Sequence, residues 1–386
     1  MLDVMVVGGG PAGLYSALLL AQEGWDVTVL EEHAELGTPT HCTGVISDEV
    51  FGLFKVPESL ILNRPTVCHV VSPVGRFFPF TSNGEGIAVV DRGGFDRELG
   101  AEAQRAGAKI WTGVRVDRVR CERAGVRVET AEGAGLSARV CILACGIGYG
   151  LPRQLGLGLP SLLLHSAQIE VDTHRRSPAV ELHLGRATAP DGFAWVVPVL
   201  RDGRPRMKLG VLARGDAAAY LRRFLSRPDI AERVASEPGA PVRRLVPLSP
   251  LGRTYGHRVL AVGDAAGLTK PTTGGGIFYS LLSGLLAAET LAEALRHDHL
   301  GEKHLRVYEQ RWQDRLGPHL RASVFLRRLF TRLTDAEWKT LLQALASGEV
   351  REVIHRTARF NWHGDMIRAL LRQRGVKSAL FHAFLR

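Results

Sequence analysis

The chain has 386 residues, 45% of them hydrophobic and 23% charged, a composition that suits two or three packed units and excludes a disordered or fibrous protein. Five cysteines, an odd number with no CxxC pair, argue against a disulfide framework and against a zinc site, and no metal is expected. The net charge of +10 is concentrated, with 18 Lys and Arg against 9 Asp and Glu from position 296 onward; no recognition motif accompanies it, so no nucleic-acid partner is expected.

Residues 2 to 7 predict an apolar strand with no basic leader before it, and no apolar run reaches the roughly 18 residues of a membrane span, so the expectation is a cytoplasmic protein. Gly8, Gly10 and Gly13 then form GxGxxG at the start of an amphipathic helix that includes Ala12, and a second strand over 27 to 30 ends on Glu31. Each position has a physical role. The first glycine permits the turn, the second lets a pyrophosphate approach the backbone, the third lets the helix lie close on the strand, and the acid accepts from an adenosine ribose. Glu32 competes with Glu31 for that last role.

Between Gly37 and Gly44 a loop carries His41 and Cys42, where the backbone can fold over a cofactor; the thiol is either functional there or an inert loop cysteine. Residues 66 to 90 alternate as strands, with Pro73 and Pro79 at edges or bends. A helix follows to Gly107, and Arg92 at its start either reaches a cofactor phosphate or is solvated. The alternation around 114 to 119 and 125 to 130 predicts a hairpin that brings the Val116 backbone to the adenine. Residues 139 to 150 read as a buried strand running into glycines, but their GxGxG spacing lacks a following ribose acid. That leaves one dinucleotide site, and a redox cofactor held there draws its electrons from a transient donor.

Residues 162 to 250 change to strands on a rhythm of roughly ten residues, which predicts an antiparallel sheet. Phe193 and Trp195, two apart, share one strand face there, either as a pocket wall or as core. A short strand at 259 to 262 leads into Gly263 and Asp264, then into Gly274, Gly275 and Gly276 and a helix that begins at Ile277. Strand, glycine loop and helix start make an anion site. A carboxylate repels phosphate, so Asp264 is expected on a sugar hydroxyl, an arrangement that suits FAD with its ribityl chain. Near the end, Ala322, Phe325, Leu326, Leu329, Phe330 and Leu333 share a helical face with Arg321, Arg327, Arg328 and Arg332 off it; such a helix suits an anionic membrane surface or packing on its own domain.

Three stretches resemble the geranylgeranyl reductase family, flavoproteins related to the p-hydroxybenzoate hydroxylase type: VVGGGPAGL at 6 to 14, GDAAGLTKPTTGGGI at 263 to 277 and PDGFAWVVP at 190 to 198. The last is similar to the family signature PxxYxWxFP, with Phe193 for its tyrosine, Trp195 matching, Val197 for its phenylalanine and Pro198 kept. HCTGVIS at 41 to 47 resembles the cysteine loop that archaeal members hold near the flavin ring, with Cys42 as the matching residue. The resemblance implies an FAD-dependent reductase of double bonds in a geranylgeranyl-type chain, carried by a lipid or a prenyl diphosphate. NAD(P)H, ferredoxin or another flavoprotein would supply electrons, and the protein would sit at most peripherally on the inner membrane surface.

One departure matters for the alternatives. Cys145 stands where these flavoproteins carry an aspartate, which lowers the expectation of hydroxylation. An aromatic hydroxylase, a quinone-linked dehydrogenase and a non-catalytic prenyl-binding protein remain the other readings. The expected fold is α/β, a doubly wound Rossmann-type FAD-binding domain over 1–65, 85–160 and 250–300. A mainly antiparallel substrate sheet over 66–84 and 161–249 interrupts it, and a helical region over 301–386 closes the chain.

Overall fold

A computed structural model describes residues 1–75, 77–80 and 85–385, so residues 76 and 81–84 of the expected substrate sheet lie outside the described residues. Strand Leu2–Val7 runs parallel to Val27–Glu31 on one side and to Gly135–Leu143 on the other, and Val259–Ala261 continues the parallel order beyond. Val4 to Val7 and the whole of Val27–Glu31 are buried, the near-continuous apolar pattern of strands covered on both faces. The predicted hairpin forms as Val116–Cys121 paired antiparallel with Val126–Thr130, which extends the sheet through Gly135–Leu143.

Helices Pro11–Gln22 and Ile277–Arg296 pack together over this sheet, Ser16 donating to the Gly284 carbonyl at 3.3 Å where only a glycine leaves room. The second of these helices corrects one expectation. Its 20 residues reach the length and apolarity of a membrane span, yet 83% of that window is buried inside the fold. Ser280, Ser283, Gly284 and Thr290 interrupt the apolar letters yet are buried with them, and only Glu289, Glu293 and Arg296 near the end reach water, so the run is a core helix.

The second sheet has seven strands in the order Val242–Pro247, Leu163–Asp172, Arg204–Ala213, Phe193–Arg201, Ala179–His183, Val67–Val71 and Phe77–Phe80. All neighbours are antiparallel except Ala179–His183 beside Val67–Val71. Pro79, which cannot donate to a ladder, lies on the edge strand. A small third sheet, Val45–Ser47, Ile87–Val90 and Ile61–Asn63, joins the two larger ones.

Five helices close the chain: Glu302–Phe330, Asp335–Leu345, Gly348–Thr357, His363–Leu370 and Arg374–Leu385. The first is fastened to the parallel sheet by Tyr308, whose hydroxyl donates to the Ala261 carbonyl at 2.8 Å, and by Trp312, whose indole donates to Thr254 at 2.9 Å. Its expected face is kept in part, with Leu329 and Leu333 buried and Leu326 and Phe330 half-buried. Leu316, Leu320, Ser323 and Arg327, at intervals of four, three and four, form the inward stripe, whereas Phe325 is 43% exposed. Arg327 is 7% exposed and spends its guanidinium on three carbonyls, those of Pro271, Asp191 at 2.5 Å and Thr272 at 3.1 Å, while Arg321, Arg328 and Arg332 stay outside. Apolar letters alone miss Arg327 because this part of the helix packs on a backbone turn that asks for donors.

Candidate cofactor and substrate site

A cavity of about 1240 Å³ lies where the parallel sheet, the second sheet and the closing helices meet. At its nucleotide end the three glycines divide their work. A Cβ on Gly8, whose φ is 111°, would stand 2.3 Å from the Ala144 carbonyl, and one on Gly13 would stand 2.1 Å from the Gly8 carbonyl. Gly10 has nothing within 4 Å and opens onto the cavity, beside Ala12. Glu31 takes the Gly9 amide at 2.6 Å and the His33 amide at 3.0 Å, so its carboxylate holds the glycine turn; Glu32 lines the same end and is exposed. Val116 lines this end too, whereas Gly13 and Gly263 lie behind the wall, the latter donating to Ser283 at 3.0 Å.

In the middle, two helices that start at the cavity have glycine N-caps, Gly10 and Gly276, with no side-chain cap, which leaves the amides of their first turns for a ligand, Pro11 alone having none. Gly274, Gly275, Gly276 and Ile277 line this stretch with Asp264, whose Oδ1 lies 3.1 Å from where a Gly276 Cβ would stand. Burial pushes the Asp264 carboxyl up, against the pull of Arg244 and Arg92. Arg92 grips both oxygens of Asp96 at 2.7 Å, and its buried Nε has no partner among the described residues. Arg244 was not singled out from sequence. In the run VRRLVP the period of two separates Arg243 from Arg244, and the latter faces the cavity.

Cys42 lines the cavity as well, its sulfur accepting from the Gly44 amide at 3.4 Å. Two buried residues of the second sheet hold its loop. The Thr43 hydroxyl donates to Gln168 at 2.6 Å, and the Thr43 carbonyl accepts from Lys208 at 2.7 Å. Burial pushes that lysine down to about 8, with Glu170 opposing. Neither partner is near Cys42 in sequence, and no local pattern announces them.

At the far end Phe193 and Trp195 form a wall with Val180, Leu182, Val197 and Leu212, their rings 5.9 Å apart and tilted by 55°. Trp195 lies across Gly210 of the next strand, where a Cβ would stand 2.1 Å from the indole. The opposite wall is Leu326 and Phe330 of the expected apolar face, with Leu345, Ile354, Met366 and Leu370 from the closing helices beyond it.

Residues 3–61 match the family described as FAD dependent oxidoreductase. Over 372 residues the chain is 32% identical to digeranylgeranylglycerophospholipid reductase 2 of Methanopyrus kandleri, which spans 91% of this chain and 92% of that one. The chain belongs to the digeranylgeranylglycerophospholipid reductase family. A member from Methanocaldococcus jannaschii is 30% identical, with 89% and 90% covered. A geranylgeranyl bacteriochlorophyll reductase-like protein from Thermoplasma acidophilum shares the fold at a TM-score of 0.84 over 99% of both chains and 22% identity. The flavin-dependent brominase Bmp2 shares it at 0.72 and 15%, over 100% of this chain and 98% of that one.

This reductase is an FAD-dependent oxidoreductase. The chain's own residues fit that cofactor: Gly10 leaves open the space a Cβ would fill, the orphaned Arg92 Nε and two uncapped helix starts offer donors to a pyrophosphate, and Asp264 offers an acceptor to a sugar hydroxyl.

Proposed function

We propose that this reductase saturates carbon–carbon double bonds in the prenyl chains of a geranylgeranylated glycerophospholipid. The observation that carries the reading is the continuity of one cavity from the dinucleotide end to the apolar lobe between the Trp195 wall and the closing helices. Bound FAD, once reduced, supplies a hydride to one alkene carbon. The protein's part is to hold the chain in the lobe, to exclude water and to bring the double bond to the ring beside Cys42 and the three-glycine turn. Burial pushes the Cys145 thiol up to about 12, so a neutral group stands where hydroxylase relatives keep a carboxylate, and reduction is favoured over hydroxylation. An external donor recharges the flavin, in keeping with a single dinucleotide turn. Mass spectrometry of lipids from cells with and without the protein tests the reading. Prenyl chains should be more saturated with it, and identical lipid profiles would count against it.

Cys42→Ser should keep FAD bound while changing the rate of flavin reoxidation by lipid or the distribution of partly reduced products. Wild-type values for both would make Cys42 a packing residue of its loop.

The same reading includes the membrane. Each buried methylene is worth about 0.8 kcal/mol, so a prenyl lipid is collected from a bilayer rather than from water. Arg321, Arg328 and Arg332 are exposed beside Phe325, and each cation near an anionic surface adds roughly 1 kcal/mol, screened by salt. Co-sedimentation with anionic vesicles should therefore weaken when the three are changed to Gln and when salt is raised. Equal binding to neutral and anionic vesicles would leave the helix as packing alone.

A further inference from the structure

Lys270 lies at the base of the three-glycine turn. Its amide donates to the Gly275 carbonyl at 3.0 Å and its carbonyl accepts from the Gly274 amide at 2.8 Å. The side chain is 4% exposed, yet it lines the cavity between the glycine turn and the apolar lobe. A Cβ on Gly275 would stand 2.8 Å from Lys270 Cε, so the glycine is what lets the lysine take this course. Its Nζ lies 3.7 Å from the centre of the Phe360 ring and donates to the Phe360 carbonyl at 2.9 Å and to Asn361 Oδ1 at 3.2 Å. An ammonium has three protons to donate. The third has no acceptor among the described residues.

Phe360 to His363 form a strap between two of the closing helices, and on its far side Glu49 and Glu85 line a second, open cleft of about 630 Å³. The strap joins the two spaces: Asn361 accepts from Lys270 and donates to Glu49 at 2.7 Å, and the Phe360 amide donates to Glu85 at 2.7 Å. Burial pushes Lys270 down to about 7, with Glu85 and Glu49 opposing. His363, which meets Thr272 at 2.5 Å, is pushed down to about 3 by burial and then by Lys270, so it carries no proton to give near neutrality. His41 is pushed down to about 4 and so is unprotonated near neutrality, while Cys68 and Cys145 are pushed up to about 12 and are too weakly acidic for the task.

We propose that Lys270 is the catalytic acid that protonates the prenyl double bond, a role that rests on the prenyl reading above. The alkene π bond breaks as one carbon takes a hydride, with its electron pair, from reduced flavin and the other takes a proton from the Lys270 ammonium. Two C–H bonds form, the flavin is oxidised, and the neutral amine regains its proton from solvent entering by the Glu49 and Glu85 cleft. An isolated alkene develops no oxyanion that water could stabilise, so a donor poised near the working pH inside the dry lobe serves the step. The sign follows directly. The donor must be protonated, so reoxidation of reduced flavin by lipid falls as pH rises through about 7.

The test uses the full-length holoprotein, reduced without oxygen and mixed with a dispersed geranylgeranylated glycerophospholipid. K270M should keep its FAD and its reoxidation by oxygen, while reoxidation by lipid slows about 100-fold and loses its fall above neutral pH. K270R keeps a charge against Phe360 and Glu49, and with it the fold, and should be equally slow. Independently of turnover, a lysine side-chain nitrogen resonance of the flavin-free full-length chain should titrate near 7 and vanish in K270M. Variants that reoxidise within threefold of wild type, or the absence of a lysine resonance that both titrates below about pH 9 and vanishes in K270M, would overturn the role. A wild-type flavin that ignores the lipid would sink the prenyl reading and the donor with it.

Discussion

Gly10→Val should give a folded protein that carries no FAD. The backbone at Gly10, with φ −87° and ψ 179°, is extended and accepts a β-branched residue, and no protein atom lies within 4 Å of the new Cβ. The side chain meets only what enters the cavity, and so it displaces a pyrophosphate by sheer volume. A loss of at least about 100-fold in affinity, or roughly 3 kcal/mol, is expected, read as flavin absorbance per protein after purification and after incubation with FAD. Gly13→Ala separates the two effects. Its Cβ would sit 2.1 Å from the Gly8 carbonyl, so that variant fails by folding and not by binding. Normal flavin content in a folded Gly10→Val would contradict the placement of the cofactor.

Arg327→Met should cost about 3 kcal/mol of stability, because it leaves the buried Pro271 carbonyl and the part-buried carbonyls of Asp191 and Thr272 without their donor. Two of those carbonyls belong to the turn that carries Gly274 to Gly276, so FAD affinity should drop with stability. Arg328→Gln, one position along and exposed, should stay within about 0.5 kcal/mol. Denaturant midpoints of the two variants decide the point. Equal values would mean that the guanidinium of Arg327 is solvated and that the helix packs on its other face.

What was legible in the sequence is what sequence neighbours build together. Gly8, Gly10 and Gly13 sit between a strand and a helix, and Gly263 to Ile277 between another strand and another helix, so the spacing itself states the turn and the anion site. Phe193 and Trp195 were placed on one strand face by a period of two. Periodicity names a face but not what it meets. Arg244, Lys208 and the lobe lined by Leu326, Met366 and Leu370 arrive from segments far apart in the chain, and nothing local marks their destination. Arg327 misled for a related reason: a charged letter on a basic helix reads as solvated until a bare backbone turn is found beneath it. Lys270 lies inside the glycine stretch at 263 to 277, yet its burial depends on Phe360 and Asn361, about ninety residues later. Helix Ile277–Arg296 shows the converse, since its polar letters hide a length and apolarity of which the packed core buries 83%.

The most direct measurement starts from holoprotein reduced in the absence of oxygen and given a geranylgeranylated glycerophospholipid as its sole oxidant. Flavin absorbance and lipid mass are followed in the same sample. The cavity, with its dinucleotide end open to its apolar lobe, predicts that the yellow colour returns and that the lipid gains two hydrogens for each flavin reoxidised. A flavin that stays reduced until air is admitted, with the lipid mass unchanged, would contradict it.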